Sequence, residues 1–393
     1  MKVGLVSFHS FLNPGGVKNH ILNLHKEFKR RGIDSKIIAP RRTAKEKYGK
    51  DLILLGTSFP FNVAGTQGDF VINFNPLAID RMLQKEKFDI LHFHNFGFPS
   101  SFQILERSRS LNILTFHANL EKNEFLKYVP FSFYILKKAA QWKIDGIIGV
   151  ASFNLDLFKK FKGPKAVIPN GIDFKEFNPR IPKIKKYRDG RIKAFGKLSL
   201  DPEQRRRINI LFVGRIEERK GLIYLLKAYE ILQKKFNNLR LIIIGEGELK
   251  EQYENWVKKR DLKEVRFEGT VTGHSLASYY TTCDIFVSPA IFGESFGIVL
   301  LEAMACGTPV AAFANRGYKE FLGNKKSGRF LVKPRAHKKL AQKIELLIRN
   351  KKLRKKMSEW GIKDAQNYAW PKIADRVLDF YKLCLENKNK NQK

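Results

Sequence analysis

Two carboxylates, Glu294 and Glu302, interrupt the otherwise apolar residues 293–310 (GESFGIVLLEAMACGTPV). The apolar stretch predicts a buried helix, in which a carboxylate needs a partner. With Glu294 at the helix start and Glu302 eight residues later, the two would share one face, roughly 12 Å apart. At that separation they cannot share one proton, but they can accept hydrogen bonds from two hydroxyl-bearing parts of one ligand. We therefore expect a ligand with two sugars; a helix cap and a core salt bridge are the structural alternative.

Two cations, Arg215 and Lys220, follow a predicted strand within residues 208–232 (INILFVGRIEERKGLIYLLKAYEIL). Gly214 and Gly221 would let the chain turn between this strand and the helix after it. Two cations in such a loop can neutralise a diphosphate leaving group. The alternative is that both side chains are solvated surface charges.

A glycine pair, Gly15 and Gly16, lies between a predicted strand at residues 2–8 and a helix that contains ILNLHKEFKRRG. Strand, glycine-rich loop and helix form the arrangement in which backbone N–H groups face an anion. We expect a diphosphate to approach here, although any tight turn can use two glycines.

Histidines and an asparagine follow two further predicted strands, within residues 88–99 and 113–125. Ligands of open α/β sheets bind beyond the carboxyl ends of the strands, so His117 is placed for chemistry unless it is a hydrogen-bonded structural residue. We interpret His92 and His94 as pointing to opposite faces of their strand, with no carboxylate cluster nearby. The sequence therefore predicts no essential metal.

Strands alternate with helices along the chain, which predicts parallel sheets in two α/β domains. We expect an N-terminal, acceptor-side domain at 1–179, a basic linker or insert at 180–207, and a C-terminal nucleotide-sugar domain at 208–366. Residues 367–393 would form a terminal helix that returns to the first domain, followed by a tail.

Two further segments are interpreted from their composition. Residues 56–76, with several Gly, Asn and Phe, are interpreted as a mobile surface loop on the acceptor side. Residues 129–143 (VPFSFYILKKAAQWK) mix aromatic and basic side chains. They form either an interfacial helix or a core helix with a lysine rim.

The composition is that of a globular protein with a large positive charge. The 393 residues are 43% hydrophobic, and 74 Lys and Arg against 38 Asp and Glu give a formal charge of +36. This charge favours an anionic partner such as a membrane surface, nucleic acid or phosphorylated ligands, unless it reflects an AT-rich genome. Three cysteines lack metal or redox spacing, and no signal or spanning segment is evident. We expect a cytoplasmic protein, peripheral on the cytoplasmic face of the membrane.

The Glu-x7-Glu pattern of residues 294–302, the GR-x4-KG segment at 214–221, IPNGID at 168–173 and the early glycine pair together resemble glycosyltransferase family 4. The resemblance covers nearly the whole chain and departs chiefly at 180–207. It implies the α/β fold called GT-B, with two Rossmann-like β/α/β domains facing across a cleft. It also implies retaining transfer of a hexose from a nucleotide-diphosphate sugar, with no cofactor and no metal.

The resemblance also assigns roles to residues. The catalytic set would be His117, Arg215, Lys220 and Glu294, with the two cations on the diphosphate, Glu294 on the hexose hydroxyls and His117 orienting the sugar or acceptor. Glu302 would meet the ribose. The other donor-binding positions, which act through backbone groups, would be Gly15, Gly16, Gly214, Ser295, Phe296 and Gly297. The acceptor-binding residues would be Asn13, Asn95 and Lys122.

Within the family, TFHAN followed by Lys122 is most similar to the phosphatidylinositol mannosyltransferases. This implies GDP-mannose as donor, a lipid acceptor whose phosphate meets Lys122, and an anionic membrane surface. Leu12 and Asn13 replace an acidic residue of that group, and FNVAGTQGDF replaces its basic loop. A UDP-sugar-dependent enzyme of a soluble or polyprenyl-linked saccharide is therefore the alternative.

A third class, a basic nucleic-acid-binding protein, would need stacking platforms or a recognition module that the sequence does not display. We therefore expect no nucleic-acid partner. The donor nucleobase, the acceptor, the linkage and the oligomeric state stay open.

Overall fold

The computed structural model describes residues 1–12, 15–43, 45–63, 66–96, 99–119, 130–188 and 207–392. It divides into two compact units. The N-terminal unit comprises Met1–Gly171 and Trp370–Lys393, and the C-terminal unit comprises Ile172–Ala369.

The N-terminal unit contains an eight-stranded sheet with the order β4-β3-β2-β1-β5-β6-β7-β8. Every neighbouring pair is parallel except β3 and β4, which are antiparallel. Its strands are β1 Lys2–Ser7, β2 Asp34–Arg41, β3 Leu52–Val63, β4 Thr66–Ile72, β5 Ile90–His94, β6 Leu111–Phe116, β7 Gly146–Gly149 and β8 Lys165–Val167.

Helices cover both faces of this sheet. They are α1 Gly16–Arg30, α2 Pro76–Glu86, α3 Ser100–Arg107, α4 Pro130–Lys143 and the C-terminal α13 Trp370–Gln392, with a 3₁₀ segment at Ser152–Phe158. Alternating strand residues point to opposite faces. Leu5 of β1 therefore packs in one core with Phe28 of α1 and Tyr381 of α13, whereas Val6 packs in the other with α2, α3 and α4.

The prediction of a mobile loop at 56–76 is wrong. The described part of this segment is the β3–β4 hairpin, whose strand pairs run from Thr57 with Ile72 to Val63 with Thr66. The strand β3 also pairs in parallel with β2. Pairing partners distant in sequence thus outweigh the local Gly and Asn content.

Helix α4 packs on the core, as one of the two alternatives for residues 129–143 predicts, and the interfacial alternative stays a prediction. Leu136, Ala139 and Ala140 are buried against the sheet, whereas Tyr134 and Trp142 are 56% and 57% exposed. The buried face explains why the helix packs on this unit.

The C-terminal unit contains a six-stranded, all-parallel sheet with the order β11-β10-β9-β12-β13-β14. The strands are β9 Ile208–Val213, β10 Leu239–Ile244, β11 Val265–Phe267, β12 Ile285–Ser288, β13 Val310–Phe313 and β14 Leu331–Val332. The helices are α5 Lys185–Arg188, α6 Leu222–Gln233, α7 Lys250–Lys259, α8 Gly273–Thr282, α9 Ile298–Ala305, α10 Arg316–Leu322, α11 His337–Arg349 and α12 Lys351–Ala365, with 3₁₀ segments at Glu218–Lys220, Lys326–Phe330 and Gln366–Tyr368.

The unit boundaries differ from the predicted ones. The C-terminal unit begins at Ile172, seven positions before the expected end of the first domain at 179, and the last helix begins at Trp370 rather than at 367. Part of the expected linker at 180–207 packs on the C-terminal unit, where Tyr187 is 6% exposed and joins a buried cluster. Apolar residues placed among lysines therefore anchor this stretch; residues 189–206 lie outside the described residues.

Candidate active site

The loop after β9 is held against the segment that follows β12. Gly221 adopts a left-handed φ of 67°, and a Cβ at this position would lie 2.1 Å from the Pro289 carbonyl oxygen. The Ile291 N–H donates a hydrogen bond of 2.7 Å to the Arg219 carbonyl oxygen. Glycine is required here because any side chain would collide with the opposing backbone. These contacts fix the direction in which Arg219 and Lys220 leave the loop.

Glu294 accepts ionic hydrogen bonds from both of these cations. Its Oε1 lies 2.5 Å from Lys220 Nζ and 3.2 Å from Arg219 Nη1, and its side chain is 13% exposed. Burial alone would raise the carboxyl pKa, but the charges and hydrogen bonds of Lys220 and Arg219 reverse this effect and lower it. Glu294 is therefore an ionised carboxylate held beside two cations.

Glu294 does not lie at the start of the helix, so the predicted shared helical face with Glu302 is wrong. The helix α9 begins at Ile298, and Glu294 lies in the preceding loop. Gly293 before Glu294 and Gly297 after it adopt non-helical φ values of 77° and 98°, so the helix cannot extend back to Glu294. The distance between the two carboxylates that was estimated from helix geometry therefore does not apply.

Glu302 lies on α9 and accepts a hydrogen bond of 2.9 Å from the Tyr280 hydroxyl. Burial, with a smaller contribution from the Glu176 carboxylate, raises the pKa of Glu302 to about 7. It therefore titrates near neutrality, in contrast to Glu294. A carboxyl group with this behaviour can either donate to or accept from a hydroxyl group, depending on pH.

Arg215 and Arg219 share the carboxylate of Glu217. The Arg215 side chain is 49% exposed and its Nη1 lies 3.6 Å from Glu217 Oε2, whereas Arg219 Nε lies 2.6 Å from Glu217 Oε1. Sequence reasoning singled out Arg215 and Lys220 and missed Arg219 and Glu217. The charged run EERK between the two predicted cations was the available signal.

The predicted backbone donors Ser295, Phe296 and Gly297 precede α9, and Gly297 is its N-terminal cap residue. The Phe296 side chain is buried, with its ring centroid 4.6 Å from that of Phe321, so it is a core residue. Only the backbone of Phe296 could serve a ligand. Gly317 allows close packing here, because a Cβ there would lie 2.3 Å from the Glu294 carbonyl oxygen.

The loop between β9 and its helix also approaches the β10 loop. A Cβ at Gly245 would lie 2.0 Å from the carbonyl oxygen of Gly214, one of the predicted donor-site residues. The backbone of Gly214 therefore packs against Gly245. The role of Gly214 in donor binding stays a prediction.

In the N-terminal unit, Gly15 and Gly16 are the cap and first residue of α1. A Cβ built at either position would meet no described atom within 4 Å. Packing therefore does not require glycine at these positions. Close approach of a ligand to the backbone is a reason for glycine here. The predicted acceptor residues Asn13 and Lys122 lie outside the described residues.

Asn95 and His117 are in contact at the carboxyl ends of β5 and β6. Asn95 has a φ of 60°, and its Oδ1 accepts a hydrogen bond of 2.6 Å from the His117 backbone N–H. Asn95, predicted to bind the acceptor, therefore also fixes the backbone of His117. Burial, with nearby imidazoles, lowers the pKa of His117 well below its usual value, so the ring is neutral near pH 7.

The expectation that His92 and His94 point to opposite faces is wrong, because strand residues two apart share a face. Their ring centroids lie 4.2 Å apart. His92 is hydrogen-bonded on both nitrogens, at 2.7 Å from Tyr381 Oη and 2.6 Å from Thr115 Oγ1. A further residue that sequence reasoning missed, His20 of α1, lies with its ring centroid 4.8 Å from that of His117.

Among the described residues, every helix is too short or too polar to cross a lipid bilayer.

Family models match both parts of the chain. Residues 14–176 match the model of Glycosyltransferase Family 4, and residues 200–364 match that of Glycosyl transferases group 1. The chain is 29% identical over 398 residues to the phosphatidyl-myo-inositol mannosyltransferase of Mycobacterium leprae, covering 100% of this chain and 99% of the relative. It is 28% identical over 392 residues to the protein of the same name from Mycobacterium tuberculosis, covering 97% and 96%.

Solved structures agree on the fold. Sucrose-phosphate synthase from Thermosynechococcus elongatus matches with a TM-score of 0.74 at 19% identity, over 98% of this chain and 99% of the other. Anabaena HepE in complex with UDP and glucose matches with a TM-score of 0.72 at 18% identity, over 97% and 100%. Both the family resemblance and the predicted fold class are confirmed. The chain therefore belongs to the family 4 glycosyltransferases and has the two-domain GT-B fold.

Proposed function

We propose that this glycosyltransferase transfers mannose, with retention of configuration, from GDP-mannose to a phosphatidylinositol-type lipid at the cytoplasmic face of a membrane. The observation that carries the choice of substrates is the full-length similarity to enzymes named phosphatidyl-myo-inositol mannosyltransferase. The net charge of +36 supports binding to anionic headgroups, to which each nearby Lys or Arg contributes about 1 kcal/mol.

The cations of the C-terminal unit support the departure of a diphosphate. Negative charge grows on the leaving group in the transition state, and positive groups held in place beforehand stabilise that charge without reorganisation. Lys220 and Arg219 are already fixed beside Glu294, and the half-exposed Arg215 is available to move toward a phosphate. In this mechanism the cations do what a metal ion does in other enzymes.

Glu294 would accept hydrogen bonds from the hexose hydroxyls, and Glu302 from the ribose. Glu294 is already paired with Lys220 and Arg219, so it orients these cations as well as the sugar. We propose attack by the acceptor hydroxyl on the same face that the diphosphate leaves, with the departing phosphate taking the proton. His117 would orient the sugar or the acceptor.

One observation favours the UDP-sugar alternative. The segment at 61–70 contains no Lys or Arg, and its single charged residue is Asp69. That carboxylate is paired within the N-terminal unit, since its Oδ2 lies 3.2 Å from His9 Nδ1 and its Oδ1 accepts from Ser58 at 3.0 Å. Phosphoinositide binding receives no support from this segment.

The test compares GDP-mannose, UDP-glucose and UDP-N-acetylglucosamine in the presence of EDTA, with vesicles that contain phosphatidylinositol or a polyprenyl-linked saccharide. We expect transfer from GDP-mannose to phosphatidylinositol and salt-sensitive flotation with anionic vesicles. Transfer from a UDP-sugar to the saccharide would support the alternative. Absence of turnover with all three donors, despite a folded protein, would contradict both.

The titration of Glu302 predicts a pH-dependent affinity for the nucleotide. Because an ionised carboxylate accepts from two ribose hydroxyls better than the acid does, GDP binding should strengthen several-fold between about pH 6 and about pH 8. In Glu302→Gln the contribution of residue 302 to the pH dependence of GDP affinity should be absent. The remaining pH dependence should be that of the nucleotide phosphate, which titrates at roughly pH 6. Isothermal titration calorimetry of both proteins across this range measures the difference. Parallel curves for wild type and variant would contradict the ribose role.

The same titration has a consequence for stability with a defined sign. The folded pKa of Glu302, about 7, exceeds the usual 4.5, so the folded state binds more protons between these values. The contribution of this group to the free energy of unfolding therefore falls as pH rises through that window, and it is constant above it. The neutral glutamine of Glu302→Gln lacks this loss. The free energy of unfolding of the variant minus that of wild type should therefore increase as pH rises through the same window.

A further inference from the structure

A cavity of about 640 Å³ lies at the edge of the N-terminal sheet opposite to His117. Its walls are the end of α4 with the two residues after it, the loop before β8 and the C-terminal part of α13. Asp145 immediately precedes β7 and Gly163 lies two residues before β8, whereas His117 immediately follows β6. Because these three strands are parallel, the cavity lies at their amino ends. It is therefore separate from the site that contains Asn95 and His117.

The charged side chains that line this cavity are three lysines, Lys160, Lys162 and Lys388, and one carboxylate, Asp145. The negative charge of Asp145 is already compensated. Its Oδ2 accepts a hydrogen bond of 2.7 Å from the Asn112 backbone N–H and lies 3.1 Å from Lys388 Nζ. The lining therefore has an excess of positive charge, which comes from Lys160 and Lys162.

The loop that contains these two lysines offers a direct comparison with a paired one. Lys159 Nζ lies 3.4 Å from Asp156 Oδ1. Within the described part of the chain, Lys160 and Lys162 form no ion pair. Like charges at one cavity repel each other, and an anion that enters the cavity offsets this repulsion. The charge distribution thus favours an anionic ligand.

The rest of the lining fits the organic part of a ligand. Ile144, Phe161 and Cys384 are buried and form the apolar part of the cavity wall. The side-chain amides of Gln141 and Asn387 add hydrogen-bond donors. The volume lies within the range of roughly 300–1,000 Å³ that is typical of small-molecule pockets. The cavity can therefore hold a small organic molecule with a charged group, rather than only a single ion.

We propose that this cavity binds a phosphate ester, with its phosphate on Lys160 and Lys162 and its organic part against Ile144 and Phe161. A phosphate monoester carries a charge of about −1.5 to −2 at pH 7 and so matches two lysines better than a carboxylate does. Lysine is also a common phosphate ligand, acting as a point charge. Soluble phosphate esters and phospholipid headgroups share this chemistry. The site goes beyond the proposed transfer reaction and does not rest on it.

The test measures binding of sn-glycerol 3-phosphate and of dihexanoylphosphatidic acid, a short-chain phospholipid, to the full chain by isothermal titration calorimetry. Saturating GDP occupies the proposed diphosphate site, and salt at about 0.15 M suppresses non-specific attraction. We expect one-to-one binding that weakens about tenfold or more when Lys160 and Lys162 are both replaced by glutamine. Replacing Lys258 and Lys259, two exposed lysines of α7, with glutamine removes the same charge and should leave the affinity unchanged.

Gln141, an exposed residue of the cavity wall, tests the sign of the effect. Gln141→Glu should weaken binding of the phosphate esters several-fold, and Gln141→Lys should strengthen it, because the two substitutions add opposite charges beside the phosphate. Circular dichroism and thermal melting check that each variant is folded. Because Lys160 and Lys162 are also exposed, we expect all of these variants to fold.

The two esters distinguish the two sources of the ligand. Equal affinity for both would identify a soluble phosphate ester. Tighter binding of dihexanoylphosphatidic acid, with sedimentation on phosphatidic acid vesicles that depends on Lys160 and Lys162, would identify a lipid headgroup. Unchanged affinity in the folded double variant at Lys160 and Lys162, or absence of one-to-one binding of either ester, would overturn the proposal. GDP should bind this variant as it binds wild type, so a failure of this site is distinguishable from a failure of the donor site.

Discussion

Replacing Lys220 with methionine should lower the rate of sugar transfer by about 10²–10³-fold, the range found when one preorganised group that stabilises transition-state charge is removed. Lys220 Nζ lies 2.5 Å from Glu294 Oε1 at a position enclosed by the β9 and β12 loops. Methionine is also unbranched and is one atom shorter than lysine, so it keeps most of the aliphatic stem and removes the ammonium group with its charge and hydrogen bonds. Steady-state kinetics with the proposed donor, GDP-mannose, measures the loss. GDP or UDP should also bind about tenfold or more weakly.

The same substitution removes one of the two cations that contact the buried Glu294 carboxylate, and should therefore reduce the free energy of unfolding by about 1–3 kcal/mol. The double variant Lys220→Met with Glu294→Gln separates the two effects. It should regain thermal stability, because the unbalanced charge is gone, but it should stay inactive. Lys259→Ala, at an exposed lysine of the same unit, is the control. Recovery of transfer in the double variant would show that Lys220 acts only by balancing Glu294.

The parts of this architecture that sequence reasoning could predict are those with local signals. Periodic apolar residues located the strands and helices around the glycine loops, and the motif residues Lys220 and Glu294 are indeed adjacent. Two motifs that are 74 positions apart in the sequence thus contribute to one site. The roles of these residues toward a donor stay predictions, as do those of Arg215 and the early glycines.

What could not be predicted depends on conformation and on contacts distant in sequence. The positive φ values of Gly293 and Gly297 move Glu294 out of the helix, and helical periodicity contains no sign of this. Likewise His20 and His117 are 97 positions apart in the sequence, and only the packing of α1 on the sheet brings them together. Arg219 was overlooked because the charged run around it is also typical of a solvated loop.

Replacing Glu294 with glutamine should lower the rate of transfer by about 10²–10³-fold, but its effect on nucleotide binding should be opposite to that of Lys220→Met. The carboxylate holds Lys220 and Arg219 before the donor arrives. A neutral amide of the same shape releases part of their charge toward the diphosphate. We therefore expect GDP or UDP to bind as tightly as to wild type or more tightly, while the sugar hydroxyls lose their acceptor.

Calorimetry with the nucleotide and kinetics with the complete donor together distinguish these roles. The lowered pKa of Glu294 means that the wild-type group is ionised throughout the neutral range, so the comparison does not depend on a chosen pH near 7. A purely structural role would weaken nucleotide binding and transfer together in both variants, since the same loops would be disordered. Opposite shifts in nucleotide affinity, with transfer lost in both, require that the cations meet the diphosphate and that the carboxylate meets the sugar.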